Sequence, residues 1–260
     1  MILTDMQLQQ FNKDGFLLLS QFADHELCDT IKDIAKAHLK HKIPPIETET
    51  EYVRKSKEDR KRISDGHSEQ HEERITIRRL RQVYHRDIVF KKWMENKEIR
   101  PVLKQILKEN PTITIAHHNS IMTKMPYTST ETSWHQDFRY WSFENDNLVS
   151  VWLALDEENG KNGVLEFIPG SHMMEFDASQ FDEKEYFSED IVENKPLIAT
   201  KVSYALQKGD VVLFHCKLLH RANKNSTDEA KISFVYTVKG RSNQAIEGTR
   251  STDYEEVTLD

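Results

Sequence analysis

The character of the chain changes at Asn110-Pro111, and this change constrains the fold more strongly than any other feature. Before it, apolar residues recur at helical spacing; after it, β-branched and aromatic residues gather in short runs separated by turn signals. The runs cover residues 112–123, 148–155, 164–168, 211–214 and 232–238. Helices followed by strands predict an all-β core, an antiparallel sandwich or barrel, with N-terminal helices buttressing one side.

Local signals mark the helices of the N-terminal part. A capping box at Thr4 predicts a short helix, which Gly15 ends. Asp24 is placed to cap a second helix, whose apolar residues recur on one side. Residues 83–107 have a helical pattern that restarts at Pro101, since proline is favoured in the first turn of a helix. The second helix is expected to pack against the sheet.

The chain of 260 residues is expected to form a single domain. We assign a helical part to about residues 1–110, a β-barrel core to about 111–240 and a C-terminal tail to 241–260. Neither an internal repeat nor a linker interrupts the pattern.

Composition excludes several classes of protein. The net charge of -7 leaves no global basic field that would draw the chain onto nucleic acid or an anionic membrane. Cys28 and Cys216 are the only cysteines, too few for a disulfide framework or a thiolate zinc cluster. The longest apolar run, residues 151–155, has five residues, so neither a signal peptide nor a membrane span is expected. A cytoplasmic protein is therefore predicted.

One segment, residues 47–81, is dominated by charge. It holds ten Lys or Arg and nine Asp or Glu in 35 residues, with hardly any large apolar residue before Ile75. A solvent-facing connection is the favoured interpretation, and a mobile lid or partner-binding arm is the alternative.

The sharpest chemical feature is His135-Gln136-Asp137. Residues two apart on a strand project from the same face, so this imidazole and this carboxylate could bind one metal ion together. Two ligands hold an ion poorly, and a third is available from His215 or His220, which follow a turn and a strand. Two histidines and one carboxylate on a β scaffold form the facial triad of non-haem iron(II).

Several motifs, in order along most of the chain, resemble the phytanoyl-CoA dioxygenase family of iron(II)/2-oxoglutarate-dependent oxygenases. The motifs are Leu3-Thr4-Asp5 through Asp14-Gly15-Phe16, residues 120–126, Trp134-His-Gln-Asp137 with Tyr140, residues 162–172, and Gly209-Asp210 through His220 with Asn225. The resemblance implies a double-stranded β-helix, a jelly-roll or cupin-like barrel. It also implies Fe(II), 2-oxoglutarate as cosubstrate and O2.

The family pattern implies that His135, Asp137 and His220 are the metal ligands and catalytic residues, with His215 in a packing role. Related iron halogenases have a small residue at the carboxylate position, so Asp137 favours hydroxylation. The implied reaction hydroxylates an unactivated C–H bond of a small organic substrate and releases succinate and CO2.

The chain departs from the family at the cosubstrate clamp. The family usually has an arginine eleven positions after the distal histidine, gripping the far carboxylate of 2-oxoglutarate, and this chain has Lys231. Ser233 shares its strand face and is expected to help orient the cosubstrate. Lys124 is a further candidate for cosubstrate or substrate binding. Arg241 and Arg250 from the tail are possible substitutes for the clamp.

Other histidines and several aromatic residues near the motif are weaker candidates for the site. His117 and His118 are adjacent, and a strand would send them to opposite faces, which argues against joint chelation. Trp134, Tyr140, Trp141 and Trp152 are candidates for the wall of a substrate pocket, although aromatic residues on strands are mostly core.

Two alternative functions remain open at this level. A zinc-dependent hydrolase could use the same triad, although it lacks an assigned general base. A non-catalytic β-barrel binding protein could carry a vestigial site. The expected partner is a small-molecule substrate rather than nucleic acid or membrane, and the pattern fits a monomer or a homo-oligomer equally well.

Overall fold

The computed structural model describes residues 1–54 and 75–260 of the chain. Most of the charged segment singled out in the sequence, residues 55–74, therefore lies outside the described residues. The described residues include six α-helices. They are α1 (Asp5–Asp14), α2 (His25–Lys40), α3 (Glu49–Arg54), α4 (Ile88–Met94), α5 (Arg100–Leu107) and α6 (Lys195–Ile198).

The predicted helix ends are confirmed. The Thr4 hydroxyl accepts a hydrogen bond from the backbone N–H of Gln7, whose side chain accepts one from the Thr4 N–H, and Gly15 ends α1 at a φ of 83°. Asp24 caps α2 by accepting bonds from two backbone N–H groups. The predicted helical stretch 83–107 is broken into a short 3-10 turn, α4 and α5, with Pro101 in the first turn of α5.

Thirteen strands lie in the described residues. They are β1 (Phe16–Leu19), β2 (Ile46–Thr48), β3 (Ile77–Arg81), β4 (Pro111–Thr114), β5 (Asn119–Lys124), β6 (Thr132–His135), β7 (Leu148–Ala154), β8 (Leu165–Phe167), β9 (Val202–Ser203), β10 (Val211–His215), β11 (His220–Ala222), β12 (Lys231–Gly240) and β13 (Glu256–Thr258). Every predicted β run overlaps at least one of them. β1 to β3 and β13 come from the parts assigned as helical and as tail.

The strands form two antiparallel sheets. The larger has the order β1-β10-β7-β12-β5-β3-β2, with β4 paired to β12 and β13 paired to β4. The smaller has the order β6-β11-β8-β9. The described strands therefore form two sheets rather than one continuous closed barrel.

The large sheet has a different neighbour on each face. On one face the small sheet packs against it: Phe16 of β1 stacks on Phe167 of β8 with ring centroids 4.9 Å apart. On the other face lie the helices, where Phe90 of α4 packs edge-on against Phe234 of β12. Both faces of the central strands are buried, so β7 and β12 consist entirely of buried residues. The predicted β core with helices on one side is confirmed.

No helix in residues 1–54 or 75–260 combines the length and the apolar character needed to cross a bilayer. The predicted cytoplasmic location stays a prediction.

Gly15 joins α1 to the sheet at a point with no room for a side chain. Its φ is positive, and a Cβ atom there would lie 2.5 Å from His172 Nδ1 and 2.9 Å from Leu218 Cδ1. We expect Gly15→Ala to lower the free energy of unfolding by about 2–4 kcal/mol, from left-handed strain and overpacking together. Urea unfolding would measure this, with Gly160→Ala as the control, since nothing lies within 4 Å of a Cβ at Gly160. Equal losses in the two variants would contradict the prediction.

Candidate metal centre

Sheet register brings the two candidate histidine ligands together. His135 ends β6 and His220 begins β11, and the two are direct partners across the antiparallel pair. Their rings lie side by side with centroids 4.2 Å apart. Asp137 Oδ1 lies 3.5 Å from His135 Nε2 and 3.8 Å from His220 Nε2. One ligand atom from each of the three residues falls within 4.8 Å of the others, as a shared metal ion requires.

The sequence pattern predicts Asp137 on the same strand as His135, but in the structure Asp137 lies just beyond the end of that strand. β6 ends at His135, and Asp137 begins a 3-10 turn that runs to Tyr140. Gln136 between them keeps an extended backbone, with φ -110° and ψ 127°, so the same-face geometry of a strand is retained. The Gln136 side chain points away and donates to the Lys217 carbonyl.

The donor atoms of both histidines are oriented by the backbone. His135 Nδ1 lies 2.9 Å from the Ser133 carbonyl, and His220 Nδ1 lies 2.9 Å from the Leu218 carbonyl. A carbonyl accepts, so each Nδ1 carries the proton and each Nε2 presents a lone pair. This outer hydrogen bond is the usual way in which proteins fix a metal-binding histidine. The donor set of two imidazole nitrogens and one carboxylate oxygen fits iron(II).

The electrostatic setting favours the same protonation states. Burial lowers the pKa of His220 to about 4, so this ring is neutral near pH 7. Burial raises the pKa of the Asp137 carboxyl, but the charges and hydrogen bonds of the surrounding histidines outweigh this and hold it well below its usual range. The carboxylate is therefore ionised, as a metal ligand must be.

A third histidine contacts the carboxylate ligand from outside the triad. His118 Nε2 donates to Asp137 Oδ1 over 3.0 Å, and the Ser150 hydroxyl donates to Oδ2 over 3.3 Å. His118 lies in the connection between β4 and β5. No spacing rule links it to Asp137, so only the folded chain identifies it. The prediction that His117 and His118 do not chelate together agrees with the structure, since His117 bonds to Ser251.

We expect His118→Ala to weaken iron(II) affinity by about 10- to 100-fold, because the carboxylate loses the donor that orients it. Anaerobic iron titration would measure the change. His117→Ala is the matched control, since this adjacent histidine bonds to Ser251 and stacks on Trp141 rather than touching a ligand. A loss of the same size in the control would contradict the role given to His118.

Two cavities adjoin the triad. The front cavity, which reaches His135 and Asp137, is lined by Tyr52, Arg79, Tyr140, Trp141, Tyr186 and Arg250. The inner cavity, which reaches His135 and His220, is lined by Lys124, Trp152, Leu165, Phe214, Lys231 and Val235. Arg78 and Met122 border both. Three of the four predicted wall aromatics line the cavities, Tyr140 and Trp141 in front and Trp152 inside. Trp134 lines neither cavity, and its indole N–H donates to Glu189.

Lys231 lines the inner cavity but already has a carboxylate partner. Its Nζ lies 3.0 Å from Glu158 Oε2, and neither side chain is more than 3% exposed. The Ser233 hydroxyl donates to Glu158 Oε1 over 2.6 Å, and the Trp152 indole N–H donates to the same carboxylate over 3.1 Å. The sequence predicts that Lys231 and Ser233 face the cosubstrate. In the structure both bind Glu158, a residue that no sequence motif singles out.

Lys124 has a different environment. It is 6% exposed, and its Nζ donates to the carbonyls of Thr130, at 2.5 Å, and Ala222, at 3.3 Å. Burial, with the positive charges of Arg78 and Lys231, lowers the pKa of Lys124 to about 6. The two lysines occupy opposed positions, since Lys231 of β12 pairs with Lys124 of β5.

The fold and site can be compared with known proteins. Residues 11–233 match the family described as phytanoyl-CoA dioxygenase (PhyH). The chain belongs to this family. A phytanoyl-CoA dioxygenase domain-containing protein 1 homolog from Caenorhabditis briggsae is 27% identical over 168 residues, which cover 60% of this chain and 56% of the relative. The chain thus spans little more than half the length of that relative.

Solved structures share the fold at low identity. The non-heme alpha ketoglutarate dependent carbocyclase SnoK from nogalamycin biosynthesis has a TM-score of 0.71 at 15% identity, covering 95% of this chain and 87% of SnoK. EctD from S. alaskensis with 2-oxoglutarate and 5-hydroxyectoine has a TM-score of 0.71 at 20% identity, covering 94% and 78%. The predicted double-stranded β-helix fold, flanked by helices, is confirmed.

The predicted resemblance to the phytanoyl-CoA dioxygenase family is confirmed. The candidate ligand set is present in full. The lysine at position 231 is paired with the buried carboxylate of Glu158. His215, the other candidate for the third ligand, lies outside the triad and packs against His172.

The two tail arginines, Arg241 and Arg250, lie in different environments. Arg250 lines the front cavity, where burial and the charges of Arg79 and Arg81 lower its pKa to about 10, and it donates to the Ala116 carbonyl. Arg241 is exposed and lies 3.6 Å from the side chain of Asp260. Only Arg250 is therefore near the candidate site.

Proposed function

We propose that this chain is an iron(II)/2-oxoglutarate-dependent hydroxylase, acting on an unactivated C–H bond of a small organic substrate. The observation that carries the proposal is the convergence of two Nε2 atoms and one Oδ1 atom, within 4.8 Å of one another, beside a cavity with cationic lining. Family membership supports the cofactor pair. The activity and the assignment of each residue are the proposal.

In this proposal His135, Asp137 and His220 would hold iron(II) through two imidazole nitrogens and one carboxylate oxygen. When bound, iron(II) with 2-oxoglutarate supplies the oxidation: one oxygen atom of O2 enters the substrate C–H bond and the other enters succinate, with release of CO2. His118 and Ser150 hold Asp137 in place through its two oxygens. The inner cavity takes the cosubstrate.

The front cavity is the proposed substrate site. Tyr52 and Tyr186 meet there through their hydroxyl groups at 2.5 Å, and Tyr140 packs beside His135. Aromatic walls of this kind exclude water and offer apolar contact to an organic substrate, with a few polar groups to fix its orientation. This supports a small-molecule substrate.

Hydroxylation is the finer part of the proposal. A carbocyclase and EctD share this fold, so architecture by itself does not distinguish the outcomes. The complete triad supports hydroxylation over halogenation, because Asp137 occupies the position at which a halide would need an open site.

The first test is an anaerobic titration of the apoprotein with iron(II) and then 2-oxoglutarate, followed by the weak visible charge-transfer band of the chelated cosubstrate. We expect a saturable band that His135→Ala abolishes. Succinate release under O2 then allows a substrate screen by mass spectrometry, in which hydroxylation adds one oxygen atom from labelled O2. Iron binding without a band would refute the proposal, and turnover by zinc-loaded protein without O2 would identify a hydrolase instead.

A further inference from the structure

Four lysine or arginine side chains line the inner cavity in the described part of the chain: Arg78, Lys124, Arg221 and Lys231. Three of them have a carboxylate partner. Arg78 lies 3.0 Å from Glu49, and Arg221 lies 2.6 Å from Glu166. Lys231 is paired with Glu158, as described above. The fourth, Lys124, donates to two backbone carbonyls.

The charge of Lys231 is already balanced inside the protein. Glu158 is fully buried, and its carboxylate accepts from Lys231, Ser233 and Trp152. Its backbone is fixed too, by reciprocal hydrogen bonds with Leu206. A second carboxylate placed on Lys231 would meet the negative charge of Glu158 in a buried setting, where like charges interact strongly.

Lys124 is positioned to replace Lys231 as the cationic partner of a bound carboxylate. Residues directly opposed across an antiparallel pair project from the same face, so Lys124 and Lys231 reach the same cavity from neighbouring strands. Burial lowers the pKa of Lys124 to about 6, and a bound anion would stabilise its ammonium form. That form has three donors, and two of them are used by the two carbonyls. The third is available to a ligand, and an anion there would supply the missing counter-charge.

We propose that Lys124, rather than Lys231, binds the distal carboxylate of 2-oxoglutarate. The clamp has moved across the strand pair from β12 to β5, and Glu158 has taken the place of the cosubstrate on Lys231. This inference rests on the proposed function, since it assigns a residue to the cosubstrate of that same site.

The test measures binding rather than turnover. Iron(II)-loaded protein is titrated anaerobically with 2-oxoglutarate and with 2-oxopentanoate, which keeps the chelating end and lacks the distal carboxylate. In the wild type 2-oxoglutarate should bind about 10- to 100-fold more tightly, the range for a charged hydrogen-bond partner. In Lys124→Met this preference should shrink to within about threefold, with 2-oxopentanoate affinity unchanged.

The matched variant is Glu158→Gln with Lys231→Met. Changing Lys231 alone would leave Glu158 buried and uncompensated, and its charge would repel the ligand whatever the role of the lysine. The double variant removes both charges and should keep the preference for 2-oxoglutarate to within about threefold.

The inference is overturned if the double variant loses the preference or if Lys124→Met keeps it. Circular dichroism and iron stoichiometry report whether each variant folds. If Lys124→Met does not fold, the double variant decides the question: a retained preference supports the inference and a lost one overturns it. Absence of the band in the wild type would instead refute the proposed function itself.

Discussion

Replacing Asp137 by alanine is expected to remove bound iron and abolish 2-oxoglutarate turnover while leaving the fold largely intact. The site would fall from three ligands to two. Loss of an outer hydrogen-bond partner alone costs about 10- to 100-fold in metal affinity, so loss of a ligand should exceed about 100-fold. Asp137 lies in a short turn after β6 rather than in a strand pair, so its removal disturbs little of the sheet.

Iron content after anaerobic reconstitution, succinate release and circular dichroism would measure the three parts of this prediction. His135→Ala and His220→Ala should behave in the same way. His215→Ala is the matched control, because this histidine is five positions from His220 but lies outside the triad. An Asp137→Ala variant that keeps iron and activity, or a His215→Ala variant that loses both, would refute the ligand assignment.

Breaking the pair of Lys231 and Glu158 from one side is expected to destabilise the protein strongly. Both side chains are buried, at 3% and 0% exposed, so either partner left alone is an uncompensated charge. We expect Lys231→Met or Glu158→Gln to lower the free energy of unfolding by about 3–5 kcal/mol. The double variant should recover most of this loss, because neutral groups can replace a buried ion pair with little cost.

Urea unfolding of the wild type, the two single variants and the double variant would give the coupling free energy between the two residues. Lys208→Met is the control. Its partner Asp29 is 49% exposed, and the distance of 2.6 Å is shorter than that between Lys231 and Glu158. Because water already solvates this pair, Lys208→Met should lower the free energy of unfolding far less. If the double variant lost as much stability as the two single variants together, the two charges would not depend on each other, which would contradict the prediction.

The stability prediction and the proposed clamp both concern Lys231 and Glu158, but they are measured separately. Unfolding reports whether Glu158 compensates Lys231 in the empty protein. The preference for 2-oxoglutarate over 2-oxopentanoate reports which lysine meets the cosubstrate. A strong coupling in the first experiment is expected if Lys231 has become a structural residue.

Features that depend on neighbours along the chain were determined by the sequence alone. The capping box at Thr4, the end of α1 at Gly15 and the cap at Asp24 are where the pattern put them, because each involves contacts within a few residues. The β-rich runs after Asn110 and the order of the family motifs were enough to predict the class of fold. The pairing of His135 with Asp137 was also visible, since only one residue separates them.

What the tertiary structure decided depends on residues far apart in sequence. Glu158 meets Lys231 73 positions away, and His118 meets Asp137 19 positions away. Both lie in connections between strands, and the sequence marks Glu158 only as part of a turn. Their roles arise because β12 pairs with β5 and β7 in one register, and that register is set by burial of both sheet faces rather than by any local pattern. The sequence thus determined which chemistry the chain could carry. The packing of the sheets decided which of the two cavity lysines has a carboxylate partner among the described residues.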